Sequence, residues 1–149
     1  MAKRKNTVSR VRPTPNAKLT AEEVGKFERV KYQIHQLHTD FTTLAKKPDN
    51  AVNKFKLKFV NEKLMEANSL LPVAFRPSEN FEQFDEDNMP TTSDVLMILS
   101  QYIDSLEAWR SANVYELTDG SFLTKWYWVT SDDSSIEATR PSRYRSNQE

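Results

Sequence analysis

A chain of 149 residues is long enough for one domain, and its 21 basic and 21 acidic side chains leave a formal net charge of zero. That balance produces no overall field that would select nucleic acid or a membrane surface. The sequence has no cysteine and only two glycines, which excludes disulfides, thiolate metal sites and the glycine-rich loops that bind nucleotide phosphates. Without an apolar stretch of membrane-spanning length or a signal peptide, we expect a cytoplasmic protein.

Residues 1–18 are rich in cations and poor in apolar side chains, so they are predicted to form a disordered basic tail. Such an arm can follow a phosphate backbone, because each cation neutralises one phosphate. Nucleic acid is therefore one candidate partner. Its candidate contacts are Lys3, Arg4, Lys5, Arg10 and Arg12.

The first predicted helix spans about residues 20–46. Thr20 and Glu23 have the spacing of a capping box, in which each side chain accepts a hydrogen bond from the other residue's backbone. The apolar residues of this helix recur at alternating spacings of three and four, which places them on one face. They are Phe27, Val30, Ile34, Leu37, Phe41 and Leu44.

The second predicted helix spans about residues 50–71, with Asp49 or Asn50 as its cap, and folds back on the first as an αα-hairpin. Val52, Phe55 and Phe59 add a second apolar row beside its main stripe, which indicates that the helix packs against two neighbours, the first and third helices. The main stripe consists of Leu57, Val60, Leu64, Ala67 and Leu71.

Residues 72–90 form a long connection that combines an acidic run with three phenylalanines. Connections of this length inside compact domains are usually functional or mobile. Two interpretations remain open: a solvated loop attached to its own helices by the phenylalanines, or a segment that docks on a basic, partly apolar groove of another protein. The candidate protein-binding residues are Phe81, Phe84, Asp85, Glu86 and Asp87.

The third predicted helix spans about residues 93–112, and a β-hairpin follows over about residues 114–129. Asp119 and Gly120 favour a two-residue type I′ turn between the two strands. A short fourth helix over 122–129 is the alternative. Residues 131–149 are polar and are predicted to form a second disordered tail.

Both faces of the second predicted strand carry large apolar groups. Trp126 and Trp128 share one face, whereas Tyr127 lies on the other. We expect one face to pack on the helices and the other to contact a protein, because exposed Trp and Tyr are favoured interface anchors. The candidate binding residues are Tyr115, Trp126, Tyr127 and Trp128.

Catalytic motifs are weak in this sequence. His35 and His38 have the spacing of two metal ligands on a helix, but no third ligand is evident. Arg29 and His35 form the Arg-x5-His pattern of HEPN-type ribonucleases, although six residues rotate through about 240° and so separate the two side chains. No serine lies in a recognisable motif with either histidine. We assign no catalytic, cofactor-binding or metal-binding residue.

The sequence therefore predicts a mainly α protein: a three-helix bundle built on a long N-terminal αα-hairpin, with a small C-terminal β-hairpin, in a single domain over 19–130. Its expected function is a non-catalytic interaction or regulatory subunit of bacterial or phage character. Nucleic-acid binding through the basic tail is the alternative, and a HEPN-like ribonuclease is the third hypothesis. A protein partner is expected, and the heptad stripes also allow a homodimer.

Overall fold

The computed structural model describes residues 19–47, 52–118, 120, 123–132 and 134–142. The described chain is mainly helical, as predicted, and has a small three-stranded antiparallel sheet. The predicted tail at 1–18, the predicted caps Asp49 and Asn50, and residues 143–149 lie outside the described residues. The elements are α1 (Ala21–Ala45), α2 (Lys54–Leu70), a 3-10 helix (Val73–Phe75), α3 (Thr92–Ala112), β1 (Val114–Thr118), β2 (Thr124–Trp128) and β3 (Glu137–Ala138).

By its internal contacts the chain divides into two compact units. We call Lys26–Leu106 the helical unit, and the described parts of Met1–Gly25 and Glu107–Glu149 the sheet unit. The division falls within α1 and α3.

Side-chain caps define where each helix begins. At α1 the predicted capping box is present: the Glu23 amide donates to Thr20 Oγ1 at 3.2 Å, and the Thr20 amide donates to Glu23 Oε1 at 3.3 Å. The helix α2 starts later than predicted because the Asn53 side chain accepts from the Lys56 amide at 2.9 Å. At α3, Thr91 and Asp94 form a second reciprocal cap.

The helical unit has an apolar interior formed from residues of the predicted stripes of the first two helices and from one face of α3. Two residues of the predicted second row on α2 do not join it. Phe55 is 72% exposed and Phe59 is 48% exposed, whereas Val52 of the same row is 7% exposed, so the prediction that the row is buried is wrong for the two phenylalanines. The fully buried residues of the unit include Val30, Ile34, Leu57, Val60, Leu64, Ala67, Val95, Leu99, Tyr102 and Leu106.

The sheet unit contains the strand order β1-β2-β3. Residues 124–128 are a strand and not part of a fourth helix. The register pairs Val114 with Trp128 and Thr118 with Thr124, which is incompatible with the predicted two-residue turn. Gly120 has a φ of 84°, a left-handed conformation that glycine adopts without strain.

The sequence did not predict β3, which falls in the stretch assigned to a C-terminal tail. Its two residues pair with β2, and the Trp128 amide donates to the Ile136 carbonyl at 2.9 Å. A buried ion pair holds the chain beyond β3. The Arg110 guanidinium donates to both oxygens of Glu107 and to the Thr139 carbonyl, and the Ser142 amide donates to Glu107. The described residues up to Ser142 are thereby attached to α3.

Candidate functional site

Two buried asparagines of α2 hold the acidic connection against the helical unit. The Asn61 amide group donates to the Phe84 carbonyl at 2.9 Å, and Asn61 Oδ1 accepts from the Phe84 amide at 2.9 Å. One side chain therefore satisfies both main-chain groups of Phe84, as a neighbouring strand would. The loop is consequently fixed at its centre and not solvated on all sides.

The second asparagine, Asn68, is a hub of three contacts. Its amide group donates to the Glu82 carbonyl at 3.1 Å, and its Oδ1 accepts from the Tyr102 hydroxyl at 2.7 Å. Its own carbonyl accepts from Arg76 Nη2 at 2.9 Å. Burial raises the pKa of the Tyr102 phenol, and the hydrogen bond to Asn68 opposes this effect only in part. The contact thus links α3 to α2 and to the loop.

A groove of about 420 Å³ lies between this loop and the first turns of α3. We call it the acidic groove. Its apolar wall combines half-buried rings with two exposed methionines, and carboxylates stand at its edge. It is lined by Phe81, Gln83, Phe84, Asp85, Asn88, Met89, Pro90, Asp94, Met97 and Ile98.

The aromatic wall of the acidic groove is an ordered pair. The rings of Phe81 and Phe84 lie 5.1 Å apart with their planes at 74°, the edge-to-face arrangement that aromatic pairs prefer. Since Asn61 holds the Phe84 backbone, the position of this pair is set by the helix below it. Met89 and Met97, which are 38% and 56% exposed, supply adaptable apolar surface.

The carboxylates of the groove differ in their surroundings. Asp94 accepts hydrogen bonds from the Thr91 amide and hydroxyl, which hold the pKa of Asp94 below its ordinary value. Asp85 Oδ1 accepts from the Asp87 amide at 2.9 Å and so shapes the turn. Glu86 and Asp87 are exposed, and Asp87 lies 4.0 Å from Lys54 Nζ.

The structure therefore brings the predicted residues Phe81, Phe84 and Asp85 together in one groove, with Glu86 and Asp87 in the same turn. It separates the aromatic residues of the sheet into an interior face and an outer face. Trp126 and Trp128 are 8% and 2% exposed, so the expected exposure of these two rings is wrong, although Trp126 lines a cavity of about 510 Å³ beside the sheet.

The opposite face of the sheet carries Tyr115 and Tyr127. These residues pair across β1 and β2, their rings lie 6.1 Å apart, and both side chains are half-buried. Of the four aromatic candidates in this region, these two remain accessible.

Comparison with protein families, curated proteins and solved structures finds no match.

Sequence reasoning missed Asn61, Asn68, Met97 and Ile98. A signal was available for the asparagines, because they are seven residues apart and each directly follows a buried residue of the α2 stripe. Two amides at heptad spacing beside an apolar stripe indicate that the helix holds a polar main chain. Nothing in the local pattern assigned Met97 and Ile98 to the groove, since their role depends on where the loop crosses α3.

Among the described residues, the predicted catalytic and metal-binding motifs on α1 do not form a site. Arg29 and His35 are both exposed on α1. His38 Nε2 lies 2.9 Å from Ser100 Oγ, a contact that the sequence did not predict. An activated serine also needs an oriented base and an oxyanion site, so we interpret this hydrogen bond as a link between α1 and α3.

Within the described residues, no group of three or more His, Cys, Asp or Glu side chains could hold a metal ion. None of the helices α1, α2 and α3 has the length and apolar character that crossing a membrane requires. The candidate nucleic-acid contacts Lys3, Arg4, Lys5, Arg10 and Arg12 lie outside the part of the chain that the structure describes.

Proposed function

We propose that this protein is a non-catalytic interaction or regulatory subunit that binds a protein partner in the acidic groove. The observation that carries the proposal is the fixed wall of that groove. Asn61 and Asn68 hold the main chain at Phe84 and Glu82, so the surface needs little ordering when a partner arrives. A preorganised surface binds more tightly because less conformational entropy is lost.

The chemistry of the groove defines the chemistry of its partner. Exposed carboxylates at Asp85, Glu86 and Asp87 favour a cationic segment, since complementary charge accelerates encounter and disfavours wrong partners. The apolar wall, with Met89 and Met97, favours an apolar anchor on the same segment. A basic segment with aromatic or aliphatic side chains fits both requirements.

The arrangement of the helices and of the first two strands is part of the same proposal. We propose that the three helices form a three-helix bundle built on an αα-hairpin of α1 and α2, which carries the groove. We also propose that β1 and β2 act as a β-hairpin whose outer face, with Tyr115 and Tyr127, is a second contact surface. A cytoplasmic setting suits a chain without cysteine.

The proposed function is tested by affinity purification from the native cell. The tagged protein is compared with a Met89→Glu/Met97→Glu variant, whose two new carboxylates spoil the apolar wall and repel a cationic partner. A Tyr32→Glu variant is the matched control, because Tyr32 is 64% exposed on α1 and is not a groove residue. Helical circular dichroism of all three proteins should be the same.

We expect one stoichiometric protein companion with the unsubstituted chain and the control, and its loss with the groove variant. A companion retained equally by all three proteins would contradict binding in the groove. Co-purifying nucleic acid without any protein companion would favour a nucleic-acid-binding function through Lys3, Arg4, Lys5, Arg10 and Arg12.

A further inference from the structure

The first two turns of α2 expose an aromatic pair surrounded by lysines. The rings of Phe55 and Phe59 lie 5.1 Å apart with their planes at 73°, and both rings are accessible to solvent. Lys54 and Lys58 are exposed beside them. We call these four residues the basic patch. Two adjoining exposed phenylalanines are unusual on a protein surface and are typical of an interaction site.

The basic patch has the chemistry that the acidic groove selects. It presents two aromatic anchors with cations on their flank, whereas the groove presents an apolar wall with carboxylates at its edge. The two surfaces also adjoin within the helical unit, because Lys54 Nζ and Asp87 Oδ1 are 4.0 Å apart. Both of these side chains are mostly exposed, at 73% and 92%, so this pair holds the two surfaces together only weakly.

We propose that the occupant of the acidic groove is the basic patch of a second copy of this chain. This inference rests on the proposed function, since it names the partner of the same groove. Because patch and groove adjoin, one two-fold axis can place each patch in the other copy's groove. The interface then closes as a dimer with two identical contacts instead of growing into a filament.

The charge along α2 favours a protein occupant over a polyanion. Phe55, Phe59, Glu62 and Glu66 follow one another at spacings of four, three and four, so they share one face of the helix. A nucleic-acid strand that stacked on the phenylalanines would meet carboxylates on the next turns, and Asp87 beside Lys54. Single-strand binding surfaces instead combine stacking aromatics with a continuous positive groove.

The test is a charge exchange between the two surfaces, measured by sedimentation equilibrium of the full chain. One variant carries Lys54→Glu and Lys58→Glu, and the other carries Glu86→Lys and Asp87→Lys. When either variant pairs with itself, both contacts of the dimer place like charges opposite each other. In an equimolar mixture, both contacts regain opposite charges. A Lys26→Glu/Lys46→Glu protein, with two exposed lysines of the helical unit outside the patch, is the control.

We expect the unsubstituted chain and the control to dimerise, and each charge variant to associate at least about tenfold more weakly. The mixture should restore a one-to-one heterodimer. Phe55→Ala/Phe59→Ala should also weaken the dimer by at least about tenfold, because central aromatic anchors dominate interface energy. Helical circular dichroism should not change, since all of these side chains are on the surface.

The inference is overturned if the unsubstituted chain remains monomeric up to roughly 200 µM, a concentration at which a weak specific dimer would be populated. It is also overturned if the mixture associates no better than its components. If the chain is monomeric but the Met89→Glu/Met97→Glu variant still loses a different companion, this inference fails while the proposed function stands. A single-stranded oligonucleotide bound by the monomer, and lost with Phe55→Ala/Phe59→Ala, would assign the patch to nucleic acid.

Discussion

The loop around Phe84 and the strand around Trp128 are both rich in aromatic residues, and they use their rings differently. In the strand, alternation sends Trp126 and Trp128 into the interior, where they stabilise the sheet unit. In the loop, Phe81 and Phe84 are half-buried, and the main chain of Phe84 is attached to α2 through Asn61. An aromatic residue held through its backbone remains available for binding, whereas one held through its ring does not.

Replacing Trp128 should cause the largest loss and would test the first half of this comparison. The Trp128→Ala substitution removes a side chain that is 2% exposed, so we expect the free energy of unfolding to fall by about 3–5 kcal/mol. Urea unfolding followed by circular dichroism measures this change. Tyr127→Ala, on the half-buried face of the same strand, is the control and should cost distinctly less. Equal losses for the two variants would contradict the assignment of an interior and an outer face.

Replacing Asn61 should have an intermediate effect on the free energy of unfolding. It tests the second half of the comparison, which concerns the loop. Asn61→Ala leaves the amide and carbonyl of Phe84 without their partner, and an unsatisfied buried polar group costs about 1–3 kcal/mol. We expect a loss of about 2 kcal/mol in urea unfolding. Hydrogen exchange of the Phe84 amide should accelerate at the same time.

The matched control for Asn61 is Asn53→Ala, which removes the helix cap of α2 and should cost about 1 kcal/mol. That control should leave exchange at Phe84 unchanged. Slow exchange at Phe84 in the Asn61→Ala protein would mean that the asparagine does not hold the loop.

The smallest effect concerns Tyr102, whose pKa is raised by burial above its ordinary value of 10.0. The folded state then keeps the phenol protonated where the unfolded state has begun to ionise. Its contribution to stability is intact below pH 10 and is lost as the pH rises through the folded pKa. Tyr102→Phe should cost about 1 kcal/mol at neutral pH by removing the hydrogen bond to Asn68.

The same variant should lose stability less steeply than the unsubstituted protein in urea unfolding above pH 10. Tyr32→Phe, which removes the hydroxyl of a tyrosine that is 64% exposed, is the matched control. An alkaline decline of the same steepness in the Tyr102→Phe protein would show that this phenol does not contribute to it.

The helices could be predicted because they depend on interactions between neighbours in sequence. The features that depend on tertiary contacts could not. The capping pair Thr20 and Glu23 involves only neighbours in sequence, so its spacing sufficed to locate the start of α1. Phe55 was assigned to a core row because it is apolar. It lies about 200° around the helix from buried Leu57, and within the described part of the chain no other element covers that side.

The acidic groove was predicted in part for the same reason. Phe81, Phe84 and Asp85 lie in one stretch whose composition indicates an interaction site. Met97 joins them only because the connection returns over the start of α3, and β3 forms only because two residues meet the edge of β2. Such contacts between distant parts of the chain leave no periodic pattern to read.

The side chains of Asn61 and Asn68 bind main-chain atoms of Phe84 and Glu82, so these hydrogen bonds do not depend on which side chains the loop carries at those two positions. Gln83, Glu86 and Asp87 are exposed and take no part in it. Substitutions at these three positions can therefore reverse or enlarge the charge of the groove edge while its backbone stays in place. The helix α2 holds a loop whose exposed side chains can be exchanged. A new binding specificity can therefore arise, by evolution or by design, without a change of fold.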